Sequence, residues 1–188
     1  MRHSMYERVV TKEQQKTFEH LWKKTADRWS MPYNKGTGIE IRYLILHNGV
    51  AVGTVEFVKF MNSQKHSIVD MYYPYSEDPF FIKEEKTTWE IGKLSIDEEY
   101  TSTGLLKNVF FIFQEHICQY EVTRYLISME KKLFLLFSKF GLQFTPVSDE
   151  IPYPKTIAIP CYFEVGDLLY HPKIQWIFSK FGKEFSTT

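Results

Sequence analysis

The sequence predicts one α/β domain built on a mixed central sheet flanked by helices. Three observations carry that expectation. β-branched and aromatic residues flank Asn48-Gly49, a strong two-residue hairpin signal. Downstream of it, strand-like and helix-like runs alternate, the pattern of a layered α/β fold. No repeat, Pro/Ser/Gly-rich tract or block of like charge interrupts residues 1–188, so the whole chain reads as a single domain.

Each element has a local reason. Thr11 to Trp29 is predicted to be a helix, with Thr11 as N-cap and Gln14 at the capping-box position. Phe18, Leu21, Trp22 and Thr25 fall on one face of it, and Pro32 closes it. "IEIRYLILHNGVAVGTVEFVKF" reads as two antiparallel strands around the Asn48-Gly49 turn. Met61 to Thr87 shows no period, and its "PYSEDPF" is a loop suited to a lid or pocket wall. "TWEIGKLSI" reads as a strand buried on both faces. "GLLKNVFFIFQEHICQY" follows as a helix with Leu105, Val109, Ile112, Phe113 and Ile117 along a buried stripe. "TRYLISM" is the next strand, and "EKKLFLLFSKF" a helix stopped by Gly141 at its C′ position. "LQFTPV" and "IAIPCYFEV" are later strands.

Composition bounds the function. The chain is 44% hydrophobic and 24% charged, ordinary for a globular protein, and 17% aromatic, which predicts a Phe-rich core or a pocket for a long apolar ligand. With 23 basic and 23 acidic residues there is no global excess for nucleic acid to meet. Cys118 and Cys161 lie far apart without metal-ligand spacing, so free thiols in a reducing, cytoplasmic setting are expected, and no metal. The N-terminal "MRHSMYERVV" has no signal-like apolar run, and nothing reaches the roughly 18 apolar residues of a spanning helix.

Chemistry concentrates in "WEIGKLSIDEEYTSTGLL", Trp89 to Leu106. At a strand–loop–helix junction, free backbone N–H groups converge, and the helix dipole adds about half a positive charge, enough to favour a pyrophosphate. Gly104 permits either a close approach of the anion or a positive φ; the alternative is that it eases the chain into the helix.

At these residues the sequence resembles the GNAT acyltransferase superfamily, whose members carry a Leu-x-Val-like strand end, an acidic bend and then Q/R-x-x-G-x-G/A opening a helix. "KLSIDEEYTSTGLL" follows the strand and bend. Thr101 replaces the Arg/Gln, and Leu106 the last small residue. A narrower resemblance accounts for both departures. "WEIGKLSI" is similar to the Glu-x-Ser-Arg-x-x-Val strand of acyl-homoserine lactone synthases and N-acyl amino acid synthases, with Gly92 and Lys93 standing for its Ser and Arg. "SMEKKL", "SKFG", "FTPVS" and "IPCY" are similar to the pattern of exosortase-associated acyltransferases of that branch, so the resemblance spans about Ile39 to Leu169.

The resemblance implies a GNAT-like fold and transfer of an acyl group from a thioester, on coenzyme A or acyl carrier protein, to the amine of a small molecule such as an amino acid. Two alternatives stand beside it: an acetyl-coenzyme A N-acetyltransferase, and a catalytically silent module that binds a lipid or partner. It further implies an oxyanion donor at the backbone of Leu94 or Ile96. Donor anchoring would fall to Thr101, Ser102, Thr103, Gly104, Leu105 and Leu106. Glu90 is the favoured acid/base residue: alternation puts it on a face with Gly92, Leu94 and Ile96, where apolar neighbours raise a carboxylate's pKa. A paired, structural glutamate is the alternative. Lys93 is a candidate for a substrate carboxylate or phosphate, or else a solvated strand-edge lysine. Glu130 either faces the pocket or caps the following helix. Phe137 occupies the place of the thiolate-protonating Tyr of many GNAT enzymes, leaving Tyr100, Tyr162, Cys161 or solvent. Lys131, Lys132, Lys139, Arg124 and Lys107 are candidates for a basic patch that meets an acidic carrier protein. Phe110, Phe111 and Phe113 cannot all share one side of their helix, so they divide between core and tunnel or partner surface. Met129 is read as core, and His20 and His116 receive no role.

Overall fold

A capping box starts the first helix, α1 (Lys12–Trp29): the Thr11 hydroxyl accepts from the Gln14 N–H, and the Gln14 side chain accepts from the Thr11 N–H. The structure, a computed structural model, describes residues 4–31, 39–61, 67–101 and 103–181. Within them α1 ends at Trp29 with Ser30 left-handed at φ 56°, and Pro32 lies outside the described residues. A short strand, β1 (Tyr6–Arg8), precedes α1 and was not expected. Its three polar-flanked residues carry no readable alternation.

The expected hairpin is present as β2 (Ile41–His47) and β3 (Val50–Lys59). Asn48 and Gly49 both take positive φ, 52° and 81°, as a two-residue type I′ turn requires. Residues 67–87 hold short 3₁₀ turns and a one-turn helix, α2 (Pro79–Ile82), before β4 (Thr88–Ile96). Then come α3 (Leu106–Tyr120), β5 (Arg124–Glu130) and α4 (Lys131–Phe140). "LQFTPV" contracts to β6 (Thr145–Pro146), followed by β7 (Ile151–Tyr153) and β8 (Thr156–Glu164). Two further helices, α5 (Val165–Leu169) and α6 (Pro172–Phe181), end the described chain. Pro172 at the first turn and the spacing of Ile174, Ile177 and Phe181 were the readable signals for α6.

These strands form one sheet, in the order β1-β2-β3-β4-β5-β8-β6, with β7 also on β8. Neighbours pair antiparallel except β4 with β5, which α3 joins as a parallel crossover. α3 fills one face. Its predicted stripe is buried, and so are Phe110, Phe111 and Phe113, because α4 and α6 cover its outer side through Phe137 and Phe178. All three phenylalanines are therefore core, a correction to the tunnel or partner reading. On the opposite face α1 lays Phe18, Trp22 and Ala26 over Leu44 and Leu46, while Val69, Tyr75 and Phe81 cover Phe60 and Leu126. Among the described residues, no helix is long and apolar enough to cross a membrane.

Candidate active site

The central strand is irregular at one place. Thr54 pairs with Ser95 and Glu56 with Gly92, so the single residue Val55 faces both Lys93 and Leu94. This β-bulge places Lys93 at φ 49°, a conformation that costs a side-chain-bearing residue about 1–3 kcal/mol. What holds Lys93 there is buried: its Nζ donates to Glu56 Oε2 at 2.8 Å, and its carbonyl accepts from the Thr54 hydroxyl at 2.7 Å.

The bulge resets the face pattern expected from alternation. Glu90, Gly92, Lys93 and Ser95 lie on the side of Glu56 and Thr54, whereas Leu94 and Ile96 pack with Trp89 and Ile91 in the α3 core. Glu90 therefore shares its face with Gly92 but not with Leu94 or Ile96. Lys93 is 7% exposed, which also corrects its reading as a solvated strand-edge lysine.

Beside the bulge the sheet opens. β4 and β5 pair only between Thr88–Ile91 and Arg124–Ile127, yet continue to Ile96 and Glu130. A cleft lies between the diverging ends, with Gly92, Lys93 and Leu94 on one wall and Ser128, Met129 and Glu130 on the other. Trp22 and Trp29 of α1, Ile68, and the phenols of Tyr72 and Tyr153 complete it. The tyrosines were missed because they lie in an aperiodic segment and a three-residue strand. Ser128 Oγ is buried there with no hydrogen-bond partner among the described residues. Of the two backbone oxyanion candidates, Leu94 lines the cleft; Ile96 lies beyond it, paired with Gly53.

Two buried carboxylates stand next to residues that line the cleft. Glu90 is 1% exposed, and its Oε2 accepts from the Ile68 N–H at 2.9 Å. Burial pushes its pKa up to about 7, against the pull of the Ser67 hydroxyl and the Ile68 and Val69 N–H groups, and the Asp70 charge adds to the rise. Ile68 and Val69 line the cleft, so Glu90 sits just behind that wall. Glu56 is fully buried, with Oε2 shared by Arg42 Nε at 2.6 Å and Lys93 Nζ at 2.8 Å. Sequence reasoning missed it, because in "GTVEFVKF" it reads as the solvent-facing residue of an alternating strand.

Other candidates separate. Glu130 lines the cleft, but its Oε2 caps α4 at the Leu133 N–H and its Oε1 accepts from the Thr156 hydroxyl, so the capping role is present. Gly104 has φ 75° with open space around its missing Cβ; Thr101 and Thr103 are exposed beside it, and Leu105 and Leu106 turn into the core. Ser102 lies outside the described residues. Cys161 is in the core and burial pushes its thiol far up, Tyr162 packs on Phe80, and Tyr100 packs on His47; none lines the cleft. Arg124 is buried, pairs with Glu84 and Glu164 and stacks on Phe80, so it leaves the expected basic patch. Lys131 pairs with Glu150. Burial depresses His116 to about 3, where it serves the core as a neutral ring on Phe57. No group of three His, Cys, Asp or Glu stands close enough to hold a metal ion among the described residues.

A mixed sheet whose parallel central strands part beside a bulge defines the GNAT-like acyltransferase fold, and solved structures of that class match this chain. FeeM, an N-acyl amino acid synthase from uncultured soil microbes, matches with a TM-score of 0.71 at 14% identity, over 91% of this chain and 96% of its own. BjaI, a coenzyme A-dependent acyl-homoserine lactone synthase solved with SAM and isopentyl-CoA, matches at 0.67 and 12%, over 95% and 89%. The synthase LasI matches at 0.64 and 11%, over 92% and 91%. No family model matches the sequence, and neither does any curated protein. At these identities the likeness establishes the fold, and the neighbours fall in the branch that the Glu90–Ile96 pattern resembles.

Proposed function

We propose that the protein is an N-acyltransferase that moves an acyl group from a thioester, on coenzyme A or acyl carrier protein, to the amine of a small molecule such as an amino acid. The observation that carries this reading is the parting of β4 and β5 beside the bulge. Edges without ladder pairs leave backbone groups for an extended thioester arm to bond as an added strand does. The Leu94 N–H then faces the thioester oxygen as its charge develops. That FeeM makes N-acyl amino acids and BjaI is solved with isopentyl-CoA supports the donor and acceptor classes.

The walls favour a chain longer than acetyl. Trp22, Trp29, Met31, Ile68 and Leu133 line the cleft, and each methylene buried against them is worth about 0.8 kcal/mol. The N–H groups of Gly104, Leu105 and Leu106 at the start of α3 anchor the donor's phosphates, those of Thr101 and Thr103 being held by the Glu98 and Tyr100 carbonyls. Glu90 takes the proton of the acceptor through one water, its raised pKa suiting it to work near neutrality. Free Cys118 and Cys161 fit a reducing cytoplasm.

Release of free thiol from acyl-CoA donors of about two to twelve carbons and from acyl carrier protein, with and without a mixture of amino acids, tests the reading. Amine-dependent release that rises with chain length is expected, with kcat at least about 100-fold lower in Glu90→Gln and donor affinity kept. Turnover confined to acetyl-CoA would favour the acetyltransferase alternative, and an unchanged Glu90→Gln rate removes Glu90 as the base.

A further inference from the structure

Gly92 lines the cleft with the flexible end of the Ile68 side chain over it, and the Glu56 carboxylate lies behind it. A Cβ built on Gly92 would lie 3.4 Å from Glu56 Oε1 and 3.1 Å from Ile68 Cδ1, so a side chain at this position would stand between the cleft and the Glu56 carboxylate. Its φ is not in the left-handed region, so the backbone does not require glycine. Glu56 Oε1, fully buried, has no hydrogen-bond partner among the described residues, whereas Oε2 takes both Arg42 and Lys93. A buried carboxylate oxygen without a donor is costly, and those two cations keep the group in place while leaving one oxygen turned toward Gly92.

From this geometry we propose that Glu56 Oε1, reached across Gly92, is the binding site for the acceptor's ammonium group. The inference rests on the acyl-transfer reading and deepens it. Glu90 and Glu56 sit on one face of neighbouring strands, diagonal across the Gly92–Glu56 pair, so an ammonium held by Glu56 stands beside the residue proposed to take its proton. Glu56 then selects a charged primary amine over an uncharged nucleophile, and Gly92 is the specificity-determining position that admits it.

Steady-state kinetics of wild type, Glu56→Gln, Gly92→Ala and Glu90→Gln test this, with decanoyl-CoA as donor and two kinds of acceptor. A mixture of the protein amino acids supplies ammonium groups, and hydroxylamine, uncharged at neutral pH, supplies a nucleophile that needs no carboxylate partner. Gly92→Ala and Glu56→Gln are expected to raise KM for the amino acids by about 10-fold or more, the loss of one charge-assisted hydrogen bond, while KM for hydroxylamine moves less than about 3-fold. Glu90→Gln is expected to lower kcat with KM kept. Gly92→Ala reports even if Glu56→Gln fails to fold with Arg42 and Lys93 unpaired. An active wild type with KM for the amino acids unchanged in Gly92→Ala overturns the inference alone. A wild type that acylates neither kind of acceptor overturns the acyl-transfer reading and the inference together.

Discussion

At the scale of single residues, Glu90 ties the proposed chemistry to stability. Its carboxyl titrates near 7 in the folded protein against 4.5 for an exposed glutamate. Between those values the folded state keeps a proton that the unfolded chain has released, so Glu90's contribution is full below 4.5, falls as pH rises, and is lost above 7. The difference corresponds to about 3 kcal/mol. His116 acts in the other direction, costing stability as pH falls from 6.5 toward 3. It is common to wild type and variant, so their difference isolates Glu90. Urea midpoints between about pH 5 and pH 8 should decline more steeply in wild type than in Glu90→Gln; parallel curves would contradict the burial argument. Glu90 was legible because a lone acid among apolar strand residues has few other places to go. Its face was half legible, since a lysine at positive φ leaves no sequence mark and the bulge at Lys93 redirects everything after Gly92. Glu56 was not legible, because it is Arg42, Lys93 and the α1 residue Phe18 over Arg42 that turn an outward-looking strand position into a buried one.

At the scale of elements, the strong local signals all appear: the Thr11 capping box, the Asn48-Gly49 turn and the Gly141 stop. Gly141 ends α4 with φ 98°, its N–H bonding back to Phe137 and Ser138, and a Cβ there would run into the His171 ring that leads into α6. Gly141→Ala is therefore expected to lose at least about 1 kcal/mol, a fall in Tm of about 2 °C or more. Adding His171→Ala should restore the part due to the ring and leave the part due to φ; full restoration would show that the backbone conformation carries no strain. Of the elements that escaped the sequence reading, α6 carried a readable period, whereas the shortest ones did not. β1 and β7, with three residues each, and residues 67–87 draw their conformation from partners elsewhere in the chain, Ile45 and Ala158 among them, and carry no period of their own.

For the whole molecule, the mixed sheet and the branch of acyltransferase it resembles were readable because strand, bend and helix succeed one another in a fixed order around Trp89–Leu106. The destination of the aromatics was not, since period alone cannot tell a helix covered on one side from one, like α3, covered on both. Nearly all the α3 aromatics serve the core, and the proposed acyl-binding surface falls instead to residues contributed by α1, residues 67–72, β4, β5 and α4. A cleft assembled from these pieces, with Tyr153 of β7 and Thr156 and Ala158 of β8, exists only in the folded chain. The central claim is that this cleft joins an acyl group to nitrogen. High-resolution mass spectrometry of the products formed from decanoyl-CoA and ¹⁵N-labelled amino acids tests it most directly: the account predicts decanoyl amides carrying one acyl group on a ¹⁵N nitrogen, formed in step with free coenzyme A. Unchanged decanoyl-CoA, or its conversion to free decanoic acid alone, would contradict it.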